Sequence, residues 1–177
     1  MQQKCFCISK MIRFSKIIIL LTVASLAGIV VFGNVTDYNS NFQFVSHVMS
    51  MDTKPDYLGN AIVYRAITSP VIHHIGYIAI ILFETFITLT ALKGAYDMFK
   101  ARNLDAQSFH NAKIFGIISL TCCCILWFFA FQVVAAEWFG MWMSKVWNGL
   151  PDATRLVTYM FLALIFISLK NDINFLY

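Results

Sequence analysis

Charge is what this sequence has least of. Of 177 residues, 13 are Lys or Arg and 9 are Asp or Glu, 12% in all, where an ordinary soluble domain carries roughly 25%. With 59% of the residues hydrophobic, so few charges cannot cover a water-soluble globule of this size. Proline, glycine and cysteine are scarce too, at 3, 8 and 5 residues. Their scarcity excludes collagen-like, low-complexity and disulfide-stapled chains. High hydrophobicity excludes disorder. No phosphate-binding loop, activated nucleophile or strong metal signature is present, and no basic patch interleaved with aromatics of the kind nucleic acids require.

What remains is a set of long apolar runs. A helix crossing the roughly 30 Å hydrocarbon core needs about 20 mostly apolar residues. Four stretches qualify: Ile17 to Gly33, Val71 to Leu92, Ile114 to Ala136 and Ala153 to Leu169. The fold class expected is all-α, a single integral membrane four-helix bundle over 1–177 with spans near 14–35, 70–93, 113–136 and 152–169. Ser69-Pro70 and Pro151-Asp152 supply helix-start signals, Asp105 can cap an extension of the third helix, and Arg155 can snorkel from the start of the fourth.

Lys and Arg are retained on the cytoplasmic side of a membrane. Nine of the 13 fall before span one, between spans two and three, or after span four; Lys54, Arg65, Lys145 and Arg155 make four on the other face. Both termini are therefore expected to be cytoplasmic, in a bacterial inner membrane, with Asn34–Ser69 and Glu137–Asp152 outside. The cationic start and the small residues Ser25 and Ala27 also fit a cleavable secretory signal, but the apolar run continues to Phe32, and an uncleaved first helix is the expectation. Cys5 and Cys7 lack the further ligands of a metal site, and Cys122, Cys123 and Cys124 read as small packing residues.

Glu84 is the acid that lies well inside a span. Such a residue costs about 2.5–3.5 kcal/mol on insertion scales and usually faces the bundle interior. Equal-depth counting brings Ser25, Thr121, Cys122, Thr158, Tyr159 and Phe161 near it. His73, Tyr77 and Glu84 share one helix face at spacings of 4 and 7, and Gln132 of the third span emerges near the same mouth. Together they outline a polar funnel for a proton or small ligand, or else a hydrogen-bond clamp between helices.

His47, Asp52, Asp56, His74 and Glu137 can be read as a metal cluster at the outer face, although neighbouring histidines point about 100° apart on a helix. Haem needs axial ligands at matched depth, and the third span has no histidine. The sequence names no cofactor. Trp138, Trp142 and Trp147 form an aromatic stretch that serves either as an interfacial anchor or as a docking surface. Phe42, Val45 and Met49 have the spacing of a short amphipathic helix, and one is expected in each outer loop. Asn34-Val35-Thr36 matches a glycosylation acceptor.

The string from Phe44 to Asp52, Arg65-Ala66-Ile67, His73-His74, Glu84, and Glu137-Trp138-Phe139 with Trp147-Asn148-Gly149 resemble a bacterial family of predicted small integral membrane proteins of unknown function. The resemblance runs from Met11 onward, which leaves Met1–Lys10 as an extension or alternative start, and it implies glutamine where this chain has Met143. It implies a four-helix inner-membrane protein and no particular activity. The leading expectation is a non-enzymatic accessory or interaction subunit, partnered by lipid, other membrane subunits or a second copy. The alternatives are a proton- or small-molecule-handling protein using Glu84 and a metal-dependent membrane enzyme.

Overall fold

The computed structural model describes residues 2–55 and 59–170, with side chains from Ile8 onward. Among the described residues there are helices and turns and no strands. The long helices are α1 (Gln2–Thr36), α3 (Pro70–Ala101), α5 (Ile114–Cys124) with its π-helical continuation Ile125–Trp138, and α6 (Leu150–Ser168). Between them lie α2 (Tyr38–Ser50) and α4 (Ala106–Asn111). Four stretches are long and apolar enough to cross a membrane: Ile8–Thr36, Pro70–Ala101, Ala106–Trp138 and Leu150–Ser168. Hydrocarbon offers no partners for backbone N–H and C=O groups, so a chain of this composition has to satisfy them within helices.

Local chemistry sets the ends. Pro70 and Pro151 occupy first-turn positions, where a missing N–H costs nothing. The Asp105 carboxylate accepts from the backbone N–H groups of Gln107 and Ser108. The Ser108 hydroxyl and those amides hold its pKa below the ordinary 3.8. Gly140, at φ 64°, turns the chain out of the third span, and the Phe139 N–H reaches the Val134 carbonyl at 3.1 Å. The expected amphipathic helix in this second loop is replaced by a single 3-10 turn, Met141–Met143. The Ser144 hydroxyl takes the backbone N–H groups of Val146 and Trp147, and that turn chemistry competes with a helix. The first loop does carry its helix, α2.

The spans pack as a ring in which α1 lies on α3, α3 on α5, α5 on α6, and α6 closes back on α1. Apolar burial drives little of this in lipid, so close packing of small residues has to. The tightest approach joins Gly94 on α3 to Gly116 on α5: a Cβ on Gly94 would stand 2.4 Å from the Gly116 nitrogen. Nearby, the Ser119 hydroxyl donates to the Ile87 carbonyl at 3.0 Å. Around this contact lie Leu20, Ala91, Ala95, Leu120, Cys123 and Ile167.

At one end of the bundle Arg13 donates to the Arg102 and Leu104 carbonyls at 3.0 and 2.6 Å. Lys16 and Lys113 both donate to the Leu169 carbonyl, at 2.7 and 2.9 Å, placing cations where a helix C-terminus favours them. At the other end the two long loops fold into a second small core of Val48, Met51, Ala136, Phe139 and Met141. Met49 accepts from the Ile67 N–H at 2.8 Å, and the Thr53 and Ser144 hydroxyls pair at 2.8 Å across the loops. The loops thus form one cap.

Gly94→Ala is expected to destabilise the detergent-solubilised protein by about 1–3 kcal/mol, the usual cost of overpacking. Gly33→Ala, with open space around its Cβ position, should leave the melting temperature unchanged or slightly raised. Thermal unfolding followed by size-exclusion recovery compares the two.

Candidate functional site

Glu84 is 4% exposed and Asn34 5%, and they meet: Asn34 Nδ2 donates to Glu84 Oε2 at 2.7 Å. Asn41 Nδ2 in turn donates to Asn34 Oδ1 at 2.7 Å, and the Tyr77 hydroxyl reaches the Asn34 carbonyl at 3.4 Å. One line of hydrogen bonds therefore ties α3 to the last turn of α1 and on to α2. Asn34 itself is read in the sequence only as a glycosylation acceptor. Buried within α1 and bonded on its side chain, it is not available as one.

The equal-depth partners do not assemble around Glu84. Ser25 and Thr158 are exposed and bond carbonyls of their own helices, while Thr121, Tyr159 and Phe161 face outward. The reason is register. Gly28 packs on Thr88 and Arg13 bonds the Arg102 carbonyl, so α1 and α3 are offset by about two turns from the alignment that matching the ends of the apolar runs gives. Both helices outlast their apolar runs, and it is the buried contacts that align them.

His73 is buried and fully engaged. A carbonyl only accepts, so Nε2 carries the proton it gives to the Ile67 carbonyl at 2.6 Å, and Nδ1 accepts from the Ser46 hydroxyl at 3.0 Å. It fastens α2 and the following loop to α3. Tyr77 belongs to the Glu84 line through Asn34. The side chain of Gln132 is half-buried, and its amide nitrogen has no partner among the described residues. The expected funnel is thus a packed seam, with His73 on α2, Tyr77 on Asn34 and Gln132 apart.

The metal reading fails on placement. His47 Nδ1 lies 2.9 Å from both oxygens of Asp52, and its ring stacks on Trp147 at 4.8 Å. His74 stacks on Phe42 at 4.0 Å and bonds the Tyr38 hydroxyl at 2.8 Å. Glu137 is exposed, Asp56 lies outside the described residues, and no three His, Cys, Asp or Glu among the described residues converge on one point. The side chains of Cys5 and Cys7 also lie outside the described residues; Cys122, Cys123 and Cys124 are free.

The aromatic residues divide into two groups. Phe42 lies against His74 and Tyr77, and Trp147 against His47 and Phe44, so both are internal fasteners of the cap. Trp138 and Trp142 remain about half exposed. Arg65, absent from the sequence-based site residues, lies over the Trp138 ring at 4.8 Å and reaches the Glu137 and Trp138 carbonyls at 3.5 and 3.4 Å. An arginine flanked by aromatics was a signal available in the sequence only once Tyr64 and Trp138 were known to lie on either side of it.

Four apolar helices around a seam of internally satisfied polar groups define a multi-pass integral membrane protein. The model of the family described as predicted small integral membrane protein (DUF2165) matches residues 12–170, and the chain belongs to that family. No curated protein and no solved structure matches it.

Removing Asn34 takes from the buried Glu84 carboxyl the side-chain donor that satisfies it, so Asn34→Ala should cost about 1–3 kcal/mol of stability, the penalty for a buried polar group left unmade. Glu84→Gln keeps an acceptor for Asn34 and should cost less. The pair Asn34→Leu with Glu84→Leu should recover part of the loss. Melting temperatures in one detergent check all three.

Proposed function

We propose that this is a non-enzymatic accessory subunit that presents its cap to another membrane protein. The observation that carries this reading is how the cap spends its polar groups. His47 with Asp52, His73 with Ser46, and Thr53 with Ser144 are engaged with one another, while Trp138, Trp142 and Val146 stand exposed, Val146 at 75%. A surface that is rigid beneath and aromatic above suits docking, because little conformational freedom is lost when a partner binds. The excess of Lys and Arg at the opposite end supports placing both termini in the cytoplasm and the cap on the outer side of a bacterial inner membrane.

Reporter fusions at Asn60 and Lys145 should both report the outer side; a cytoplasmic signal from either would overturn the orientation. Purified in mild detergent, the protein should carry a stoichiometric membrane partner. Trp142→Ala with Val146→Asp should reduce its recovery at least about tenfold, as loss of a hot spot does, with the melting temperature retained. A lone monodisperse monomer, or recovery indifferent to both substitutions, would count against the proposal.

The second reading, a proton or small ligand handled at Glu84, is favoured by one observation. A cavity of about 20 Å³ beside Glu84, walled by Leu126, Trp127 and Met160, is large enough for a single water. The hydrogen-bonded line through Asn34 otherwise fits a clamp, and Glu84→Gln with unchanged cellular function would eliminate proton handling.

A further inference from the structure

Where α2 crosses between α3 and the π-helical segment, it leaves an apolar slot of about 180 Å³. Val45 and Met49 roof it, Gly76 and Ile80 form one wall, and Ala130 and Phe131 form the other. Both walls belong to stretches long and apolar enough to cross a membrane, and the slot lies at their cap end, where Val48 and Phe139 of the cap core also line it. It is lined by small residues where two spans part, and one wall is wound as a π-helix, a form frequent at functional sites.

Val134 and Phe139 line this slot and also a second, open cleft of about 640 Å³ whose other residues are Arg65, Val133, Glu137 and Trp138. The cleft holds one cation and one carboxylate that are not spent on each other: Arg65 makes no ion pair among the described residues, and Glu137 is exposed. The guanidinium is kept in place by the Tyr64 and Trp138 rings, at 5.5 and 4.8 Å. An aromatic residue and an arginine at a span's end sit at headgroup level, and guanidinium is the side chain best shaped for phosphate.

We infer that slot and cleft together hold one phospholipid with a phosphoethanolamine headgroup. Part of an acyl chain enters the slot between α3 and the π-helical segment, Arg65 takes the phosphate, and Glu137 takes the primary ammonium. A single charge of each sign suits a zwitterionic headgroup, and a carboxylate that accepts hydrogen bonds favours the ammonium that has N–H groups to give. A phosphatidylglycerol offers Glu137 only neutral hydroxyls and no cation, and the quaternary ammonium of a phosphatidylcholine has no N–H to donate.

The test is lipid titration of the delipidated full-length protein by native mass spectrometry, with dioleoyl phosphatidylethanolamine, phosphatidylglycerol and phosphatidylcholine. Phosphatidylethanolamine should bind about tenfold more tightly than the other two, the scale of one lost hydrogen bond to a charged group. Glu137→Gln should erase that preference while leaving phosphatidylglycerol binding unchanged or stronger. Arg65→Gln should weaken all three lipids. Ala130→Leu should fill the slot and weaken all three without changing their order; the surface variants Arg65→Gln and Glu137→Gln decide the matter if Ala130→Leu lowers the melting temperature. Equal affinity for the three lipids in the unaltered protein would overturn the inference. So would a preference that survives Glu137→Gln, binding of free phosphoethanolamine as tight as the lipid, or a dimer that closes the slot and excludes lipid. None of these outcomes depends on whether a protein partner is recovered through Trp142 and Val146.

Discussion

A carboxyl group carried into hydrocarbon has to find its hydrogen bonds inside the protein, and in this chain Glu84 finds them through Asn34. That contact sits where α1 ends, and it determines more than its own neighbourhood. It draws the last turn of α1 against α3, and through Asn41 it sets the direction in which α2 leaves. Tyr77, packed under the same turn, closes the seam. Had Glu84 been satisfied by a mid-bundle serine or threonine, α2 would be held to α3 only through Ser46 on His73 and Tyr38 on His74, and no polar contact would tie it to the end of α1.

From that seam the cap follows. With α2 laid across the ends of α3 and the third span, His73 can reach both Ser46 and the Ile67 carbonyl, so the first loop is stitched down at two points. The second loop then packs its Phe139, Met141 and Trp147 onto Val48, Met51 and His47. Met51 takes a left-handed backbone at φ 52°, uncommon for a residue with a side chain; burial of that side chain in the cap core offsets the strain. Several polar residues of the loops are turned onto one another, His47 on Asp52, His73 on Ser46 and Thr53 on Ser144, and the exposed face of the cap mixes aromatic and apolar residues with charges such as Glu137 and Lys145.

The same geometry accounts for the slot. Gly94 and Gly116 let α3 and α5 touch backbone to backbone in the half of the bundle away from the cap, and no such pair exists near the cap, where Gly76 faces Met49 of α2 instead. The two spans therefore separate toward the cap, and α2 roofs the gap without filling it. Close packing at one end and parting at the other are two results of where small residues fall along α3.

Class and approximate span positions were readable from composition, because long uncharged runs admit few structures other than membrane helices. Glu84 stood out for the same reason: a charge is conspicuous against apolar neighbours. The starts at Pro70 and Pro151 are local chemistry and were visible too. Its partner was not, since Asn34 lies just past an apolar run whose helix continues another turn, and span limits say nothing about how far a helix continues beyond them. Register between helices is a property of pairs. It was set by Gly28 against Thr88, by Gly94 against Gly116 and by Arg13 on the Arg102 carbonyl, contacts that no count along one strand of sequence contains. Likewise His47, Asp52, His74 and Glu137 had metal-binding side chains, but only folding could spend His47 on Asp52 and Trp147, and His74 on Tyr38 and Phe42. Sequence by itself determined the solvent this protein inhabits, because transfer free energy adds residue by residue; the tertiary structure alone decided which polar groups meet, because hydrogen bonds need two atoms in one place.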